Sequence, residues 1–299
     1  MASNRLLEWL ESGRTVLGDG AMGSVLQAEG LTPGESPELW NVTKPEVIRG
    51  VYRAYLDAGA QVIETNTFGG NAARLGHNDL QGRVGELNEA GAKLARLEAE
   101  GRDCLVAGSV GPTGEMLEPY GLLSVDEAAS MFAEQVAGLL AGGVDHIQIE
   151  TMSQMAEVEA AILGARRASP DVPIAVTMTF DTNARTMMGD TPKSALEAIY
   201  GWGVRAIGGN CGNGPDEIRT VMAQMLEHRP DDVYLIAQSN AGLPKMIDGK
   251  VTYDGTPEVM AKYAVELYQM GVNYIGACCG STPAHIAAMR DALVAAGAL

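Results

Sequence analysis

Short apolar runs rich in β-branched residues alternate with longer amphipathic segments along the whole chain. Eight such runs, each bounded by Gly, Pro or polar residues, predict β-strands at 15–18, 61–65, 104–110, 146–149, 174–180, 206–209, 233–238 and 274–277. The segments between them carry helix start signals: Ser124 and Glu127 have the spacing of a capping box, and Thr256 and Thr282 each precede a proline. The pattern therefore predicts eight strands that alternate with helices.

This alternation predicts the fold. Parallel strands need helical crossovers, and closing a parallel sheet into a barrel removes its edges. We therefore predict an α/β fold of the (β/α)8 TIM-barrel type, with a doubly wound open sheet as the alternative. Residues 5–11 predict an extra N-terminal helix that covers the bottom of the barrel. No Ser/Gly linker or block of like charge divides the sequence, so residues 1–299 are expected to form a single domain.

The composition of the chain limits which binding partners and which cellular compartment we expect. The 299 residues include 21 Lys and Arg against 38 Asp and Glu, a formal net charge of −17, which argues against a nucleic-acid partner. No apolar run approaches the roughly 18 to 20 residues of a membrane span, and the N-terminus lacks the basic and apolar regions of a signal peptide. Four cysteines are too few for a disulfide framework in a chain of this length. We expect a cytoplasmic protein with no membrane partner.

Three of the four cysteines fall where a barrel enzyme carries its chemistry, at the carboxyl ends of strands. Cys211 follows strand six in GGNCGNGP, and Cys278 and Cys279 follow strand eight in GACCGSTP. Adjacent cysteines cannot readily bond to each other, so the pair indicates metal ligation or redox chemistry. Cys104 opens strand three and is expected to be a small core residue.

Three thiolates that meet at one point, with a fourth position free, describe an open zinc site. Three anionic ligands weaken the ion as a Lewis acid for hydrolysis, and a substrate thiol is the better match for the free position. The predicted reaction is attack by a metal-bound substrate thiolate on an electrophilic carbon. Asn240, after strand seven, is a candidate fourth ligand, or it caps the backbone before Gly242. The alternative for Cys278 and Cys279 is that they are small buried residues and that Gly276 and Gly280 allow a tight turn.

Two carboxylates end strands on the same face of the predicted barrel. Asp19 follows strand one and Glu150 follows strand four. Buried carboxylates need a cationic or hydrogen-bonding partner, which the ammonium group of a thiol-bearing amino acid would supply. Glycine-rich turns, including the one that starts at Gly20, can direct backbone N–H groups at the carboxylate of the same substrate. The alternative is that Asp19 and Glu150 cap helices.

Several motifs, taken in order, resemble the homocysteine S-methyltransferase family. They cover nearly the whole chain and comprise DGAMG at 19–23, ETNTF at 64–68, GSVGPTGE at 108–115, IET at 149–151, GGNCGNGP at 208–215, SNAGLP at 239–244 and GACCGSTPAHI at 276–286. The resemblance implies a (β/α)8 barrel that holds zinc through Cys211, Cys278 and Cys279 and binds homocysteine through its thiolate. It also implies that Asp19 and Glu150 hold the amino group and that backbone amides near Gly20 take the carboxylate.

Three further residues of these motifs, Ser109, Thr151 and Asn210, stand at strand ends and complete the predicted substrate site.

The motifs look most like the methionine-synthase branch of the family. Betaine-using members carry a Tyr after the strand-four Glu, where this chain has Thr151. The sequence also lacks the D-x-H-x-x-G signature of a corrinoid-binding module, so we expect a methylcorrinoid supplied by a separate corrinoid-binding protein as the methyl donor and methionine as the product. The alternatives are a small donor such as S-methylmethionine or a betaine, a corrinoid-linked enzyme with a different methyl substrate, a non-catalytic zinc-binding subunit, and a thiol redox sensor.

Overall fold

The computed structural model describes residues 4–181, 183–243, 245–247 and 250–299. Ten strands are present in this part of the chain: β1 (Val16–Leu17), β2 (Val62–Glu64), β3 (Leu105–Val110), β4 (His146–Met152), β5 (Ile174–Met178), β6 (Ala206–Cys211), β7 (Tyr234–Ser239), β8 (Lys245–Ile247), β9 (Lys250–Thr252) and β10 (Tyr274–Ala277). All strands except β8 and β9 form one eight-stranded parallel sheet, in the order β1-β10-β7-β6-β5-β4-β3-β2.

The two ends of this sheet meet along a short seam. Gly18 forms a parallel bridge with Val62, and the N–H of Gln61 donates to the carbonyl of Leu17 at 2.7 Å. The sheet is therefore a nearly closed barrel. The predicted (β/α)8 fold is confirmed, and the open-sheet alternative is wrong.

Helices cover the outside of the barrel. The described residues form α1 (Arg5–Glu11), α2 (Gly23–Ala28), α3 (Trp40–Thr43), α4 (Pro45–Ala58), α5 (Ala72–Gly76), α6 (Val84–Ala99), α7 (Val125–Ala141), α8 (Met155–Ala168), α9 (Pro192–Gly201), α10 (Pro215–Leu226), α11 (Pro257–Met270) and α12 (Pro283–Ala295). The predicted start signals are confirmed. Ser124 forms a capping box with Glu127, Thr256 accepts a hydrogen bond from the N–H of Val259, and Thr282 and His285 form the capping box of α12.

The N-terminal helix lies where the sequence predicts it. Leu6 and Leu10 of α1 are buried and pack against apolar side chains at the amino ends of the barrel strands, among them Val16, Val62 and Ile236. This helix closes the bottom of the barrel, and the carboxyl ends of the strands are left as the accessible end of its interior.

Two strands reach further than predicted. β4 extends to Met152 and β6 extends to Cys211, so one of the predicted ligands is the last residue of a strand. An antiparallel hairpin, β8 paired with β9, is an insertion between β7 and α11 that the hydrophobic pattern did not indicate. Pro244, the last residue of the SNAGLP motif, lies outside the described residues.

Among the residues that the structure describes, none of the helices combines the length and the apolar character needed to cross a membrane.

Candidate active site

A cavity of about 720 Å³ opens at the carboxyl ends of the barrel strands. It is large enough for a drug-sized ligand. Most of the predicted site residues line it and are thereby brought together from five strand ends: Gly20, Ser109, Glu150, Thr151, Asn210, Cys211, Cys278 and Cys279. Loops after β1 and β2 complete the wall.

The three cysteines form one cluster on this wall. Their Sγ atoms all lie within 4.8 Å of one another, and Sγ of Cys211 is 2.8 Å from Sγ of Cys278. Three thiolates bound tetrahedrally at about 2.3 Å from one zinc ion would be about 3.8 Å apart, a separation that small side-chain shifts would reach. The cluster could therefore hold a metal ion. Cys104 is buried in the core, as predicted.

The cluster favours a negative charge on one sulfur. Hydrogen bonds from the thiols of Cys211 and Cys278 hold the pKa of Cys279 well below the usual range of a cysteine, and Tyr253 adds to this lowering. The same contacts act in the opposite direction on Cys278, whose bonds to Cys211 and Cys279 raise its pKa. A thiolate that is stabilised by two neighbouring thiols needs a cation to allow the others to ionise.

Backbone geometry fixes the direction of the site residues at the ends of β4 and β6. Thr151 and Cys211 have φ values of +60° and +58°, which non-glycine residues rarely adopt. The pairing of β4 with β5 shifts register between Ile149 and Met152, as at a β-bulge. The Asn210 side chain bridges the two ends, because its Oδ1 accepts from the N–H of Thr151 at 2.9 Å and its Nδ2 donates to Thr151 Oγ1 at 2.7 Å.

Three carboxyl groups lie at the inner end of the site. Glu150 Oε1 accepts from the Ser109 hydroxyl at 2.5 Å, and its Oε2 accepts from Asn210 Nδ2 at 3.4 Å. Glu64 Oε1 accepts from Gln238 Nε2 at 2.7 Å, and the N–H of Glu64 donates to Asp19 Oδ2 at 2.9 Å. Asp19 Oδ1 is buried and has no hydrogen-bond partner among the residues that the structure describes.

No Lys or Arg of the described residues forms an ion pair with these acids. Burial raises the pKa of Asp19 and of Glu150, and the neighbouring Glu64 carboxylate adds to both shifts. Burial also raises the pKa of Glu64. Three clustered acids with raised pKa values are the environment that an incoming ammonium group would neutralise.

Two predicted site residues do not line the cavity. Asp19 lies behind Glu64, which occupies the wall in its place. Asn240 is buried, and its Nδ2 donates to the carbonyl of Gly212 at 2.7 Å, while its Oδ1 has no partner in the described part of the chain. The role of Asn240 as a fourth metal ligand stays a prediction, as do the substrate contacts of the other residues.

Sequence reasoning missed two residues of the site. Glu64 ends strand two in the ETNTF motif, and its place at a strand end was the available signal. Tyr253 follows the unpredicted hairpin, and Gly280 packs against its ring so closely that an added Cβ would lie 2.1 Å from Tyr253 Cγ. No local pattern marks Tyr253, because only the tertiary fold brings it to Cys279.

The protein is a parallel (β/α)8 barrel with a thiol cluster at its strand ends and buried acids beside the cluster. These features define a class of barrel proteins with a candidate thiolate metal site. Comparison with known proteins gives the family. The sequence profile of the homocysteine S-methyltransferase family matches residues 16–293. The chain belongs to this family.

Individual relatives agree with this assignment. The chain is 35% identical to the methionine synthase of Mycobacterium tuberculosis over 291 residues and 34% identical to that of Mycobacterium leprae over 297 residues, covering 92% and 94% of this chain. It spans only 24% of the length of either relative. Its fold matches the homocysteine methyltransferase MmuM from Escherichia coli, in the metallated and the oxidized form, with a TM-score of 0.79 for each, 25% identity, and coverage of 95% of this chain and 98% of that chain.

Proposed function

We propose that the protein is a zinc-dependent S-methyltransferase that methylates homocysteine to methionine. The observation that carries this proposal is that three clustered sulfurs and two carboxyl groups without an ion-pair partner in the described residues, Glu64 and Glu150, line one cavity. A substrate with a thiol at one end and an ammonium group at the other matches these two features. The family and the methionine synthase relatives support the same substrate.

Zinc fits the donor set. Cys211, Cys278 and Cys279 would hold it, because soft thiolates favour zinc over magnesium or calcium and three ligands leave a position for substrate. When bound, the ion supplies a positive charge that keeps a substrate thiol deprotonated near neutral pH. The related Escherichia coli protein has a metallated form, which supports a metal in this chain.

The protein's own groups would hold the amino acid end of the substrate. Glu150, aligned by Ser109 and Asn210, would accept hydrogen bonds from the ammonium group together with Glu64. Asp19 would add its charge from behind Glu64. Gly20 lines the cavity, and its N–H would donate to the substrate carboxylate. Holding both ends fixes the sulfur for in-line attack on a methyl group.

The loops at this end of the barrel suit a large methyl donor. Four of the most exposed large apolar side chains in the described residues stand in loops after β3, β5 and β7: Tyr120 at 74%, Leu122 at 98%, Met187 at 64% and Met246 at 70% exposure. Apolar groups that are this exposed on one face commonly mark an interaction surface. We propose that a methylcorrinoid bound to a partner polypeptide delivers the methyl group here.

An anaerobic assay tests the proposed function. The zinc-loaded protein is given homocysteine with methylcobalamin, S-methylmethionine or betaine, and methionine is measured. We expect methionine with methylcobalamin, at a rate that Cys211→Ala abolishes and Cys104→Ala preserves. If no donor gives methionine, the assignment of homocysteine as substrate is refuted. If only S-methylmethionine or betaine gives methionine, the proposal of a methylcorrinoid donor is refuted.

A further inference from the structure

Arg74 stands apart from the other arginines of the protein. Every other arginine donates a side-chain hydrogen bond or forms an ion pair with a described residue. The guanidinium of Arg74 does neither within the described ranges, although the chain has 38 carboxylate side chains for 21 Lys and Arg. It lines the active-site cavity. An unpaired guanidinium facing a substrate cavity has five donors available for a ligand.

The position of Arg74 is fixed by its neighbours. Its backbone N–H donates to Oδ1 of the buried Asn71, the N-cap of α5, at 3.0 Å. The side chain packs against Gly114, where an added Cβ would lie 3.2 Å from Arg74 Nη1 and 3.3 Å from Cδ. The glycine of the GPTG turn therefore leaves space for this side chain. A preorganised arginine loses less entropy when it binds a ligand than a free one does.

The two acids on the same wall, Glu35 and Glu38, form no ion pair with Arg74. Glu38 accepts from the N–H of Gly69 and from the Ser36 hydroxyl, both at 2.7 Å, and Glu35 accepts from the Trp40 indole at 2.7 Å. Both acids are engaged elsewhere.

Arg74 also lies in a different part of the cavity from the proposed ammonium site. It stands on α5, after β2, whereas Glu150 stands on β4, and its positive charge lowers the pKa of Glu157, which burial raises. An amino acid as small as homocysteine, held at the carboxylates and the sulfurs, leaves much of a cavity of about 720 Å³ free. The remaining space and the unpaired cation lie on the side of the cavity formed by the loop after β2.

We infer that Arg74 binds an oxyanion, a carboxylate or a phosphate group, of the methyl donor. The inference rests on the proposed methyl transfer, since that reaction requires a second substrate in this cavity. The planar guanidinium would make two parallel hydrogen bonds to the oxyanion, as arginine does with carboxylates and phosphates. It would set the preference among donors and leave homocysteine binding to the carboxylate end.

Calorimetric titration of the zinc-loaded protein tests this assignment without turnover. The probes are S-methylmethionine, which carries a carboxylate, its decarboxylated sulfonium counterpart, methylcobalamin, which carries a phosphodiester, and homocysteine. The variants are Arg74→Gln, Arg74→Lys and the control Arg83→Gln, whose guanidinium bonds to Glu86 on the surface. We expect Arg74→Gln to weaken binding of one oxyanion donor by about 10- to 100-fold. Arg74→Lys should weaken it less. Arg83→Gln should not alter it.

The pattern across probes decides the inference. A loss with S-methylmethionine but not with the decarboxylated probe identifies a carboxylate donor, and a loss with methylcobalamin identifies a phosphate-bearing one. Unchanged binding of every probe, an equal loss with homocysteine or with the decarboxylated probe, or failure of the unmodified protein to bind any oxyanion donor would each overturn it. If Arg74 binds the donor but no methionine forms, the proposed function fails and the inference stands. If Arg74→Gln forms methionine with an unchanged KM for the donor, the proposed function stands and the inference about Arg74 fails.

Discussion

Replacing Glu64 by Gln should move stability and substrate affinity in opposite directions. The substitution keeps the shape of the side chain and its contact with Gln238, but it removes one of three clustered carboxyl groups that form no ion pair with a described residue. It also introduces an amide N–H2 donor next to the other acids. A hydrogen bond to a charged group contributes about 1.5–3 kcal/mol. At the lower value, Tm should rise by about 3 °C for a chain of this size.

Affinity for homocysteine should fall by the same reasoning. A carboxylate that accepts a hydrogen bond from the substrate ammonium contributes about 1.5–3 kcal/mol, so its loss corresponds to about a 10- to 150-fold weaker Kd. Thermal unfolding and calorimetric titration of homocysteine into the zinc-loaded protein measure the two effects. Glu98→Gln is the control, because Glu98 is a partly buried acid that is paired with Arg49 and Arg53. This control should lose stability.

The pH dependence gives the same prediction a second test. Burial raises the folded-state pKa of Glu64 above its ordinary value of 4.5, so between these two values the folded protein binds more protons than the unfolded chain. The contribution of this group to stability is present below pH 4.5 and is lost as the pH rises through the folded pKa. We expect Glu64→Gln to reduce the loss of stability above pH 4.5. A lower Tm, or an unchanged homocysteine Kd, would refute the reasoning.

Further predictions concern the sulfur cluster, the barrel wall and the alignment of Glu150. Alanine at any one of the three clustered cysteines should reduce bound zinc to well below one equivalent by metal analysis while circular dichroism shows a retained fold; unfolding would instead identify a structural ion. In metal-free protein, mild oxidation should join Cys211 to Cys278, whose Sγ atoms are 2.8 Å apart, and peptide mapping should find that zinc prevents it. Gly208→Ala should give no folded protein, since its Cβ would lie 1.7 Å from the Ile236 carbonyl oxygen, whereas Gly50→Ala on α4 has free space and should gain about 0.5–1 kcal/mol in urea unfolding. Ser109→Ala removes a hydrogen bond to Glu150 and should raise the KM for homocysteine about 10-fold with little change in kcat; a lower kcat at constant KM would contradict a binding role.

Much of the fold follows from local pattern. Eight apolar runs and capped helices define the barrel because each βα unit has a strong local signal, and residues 5–11 form the predicted helix because Leu6 and Leu10 face one side. The hairpin was missed because its two strands of three residues each have no hydrophobic face that a periodicity analysis can detect.

The sequence predicted the features of the site that depend only on where a residue stands relative to the end of its strand. Strand ends in a barrel converge, so Cys211, Cys278 and Cys279 could be assigned to one point from sequence alone. Which of two neighbouring acids faces the cavity depends instead on the pleat and stagger of β1 and β2, and here Glu64 rather than Asp19 occupies the wall. The position of Arg74 without an ion-pair partner among the described residues could not be predicted, because it depends on the whole fold.

The seam between β1 and β2 gives the barrel a wall of unequal strength. The sulfur ligands stand on a part of the sheet where β6 pairs with β7 over six residues and β7 pairs with β10 over four, whereas β1 and β2 share a single bridge. Gly20 and Glu64 lie on opposite sides of that seam. Local opening requires the fewest broken hydrogen bonds there. We therefore expect local opening of the barrel to begin at this seam, beside the amino acid end of the cavity, and not between the strands that hold the three sulfurs.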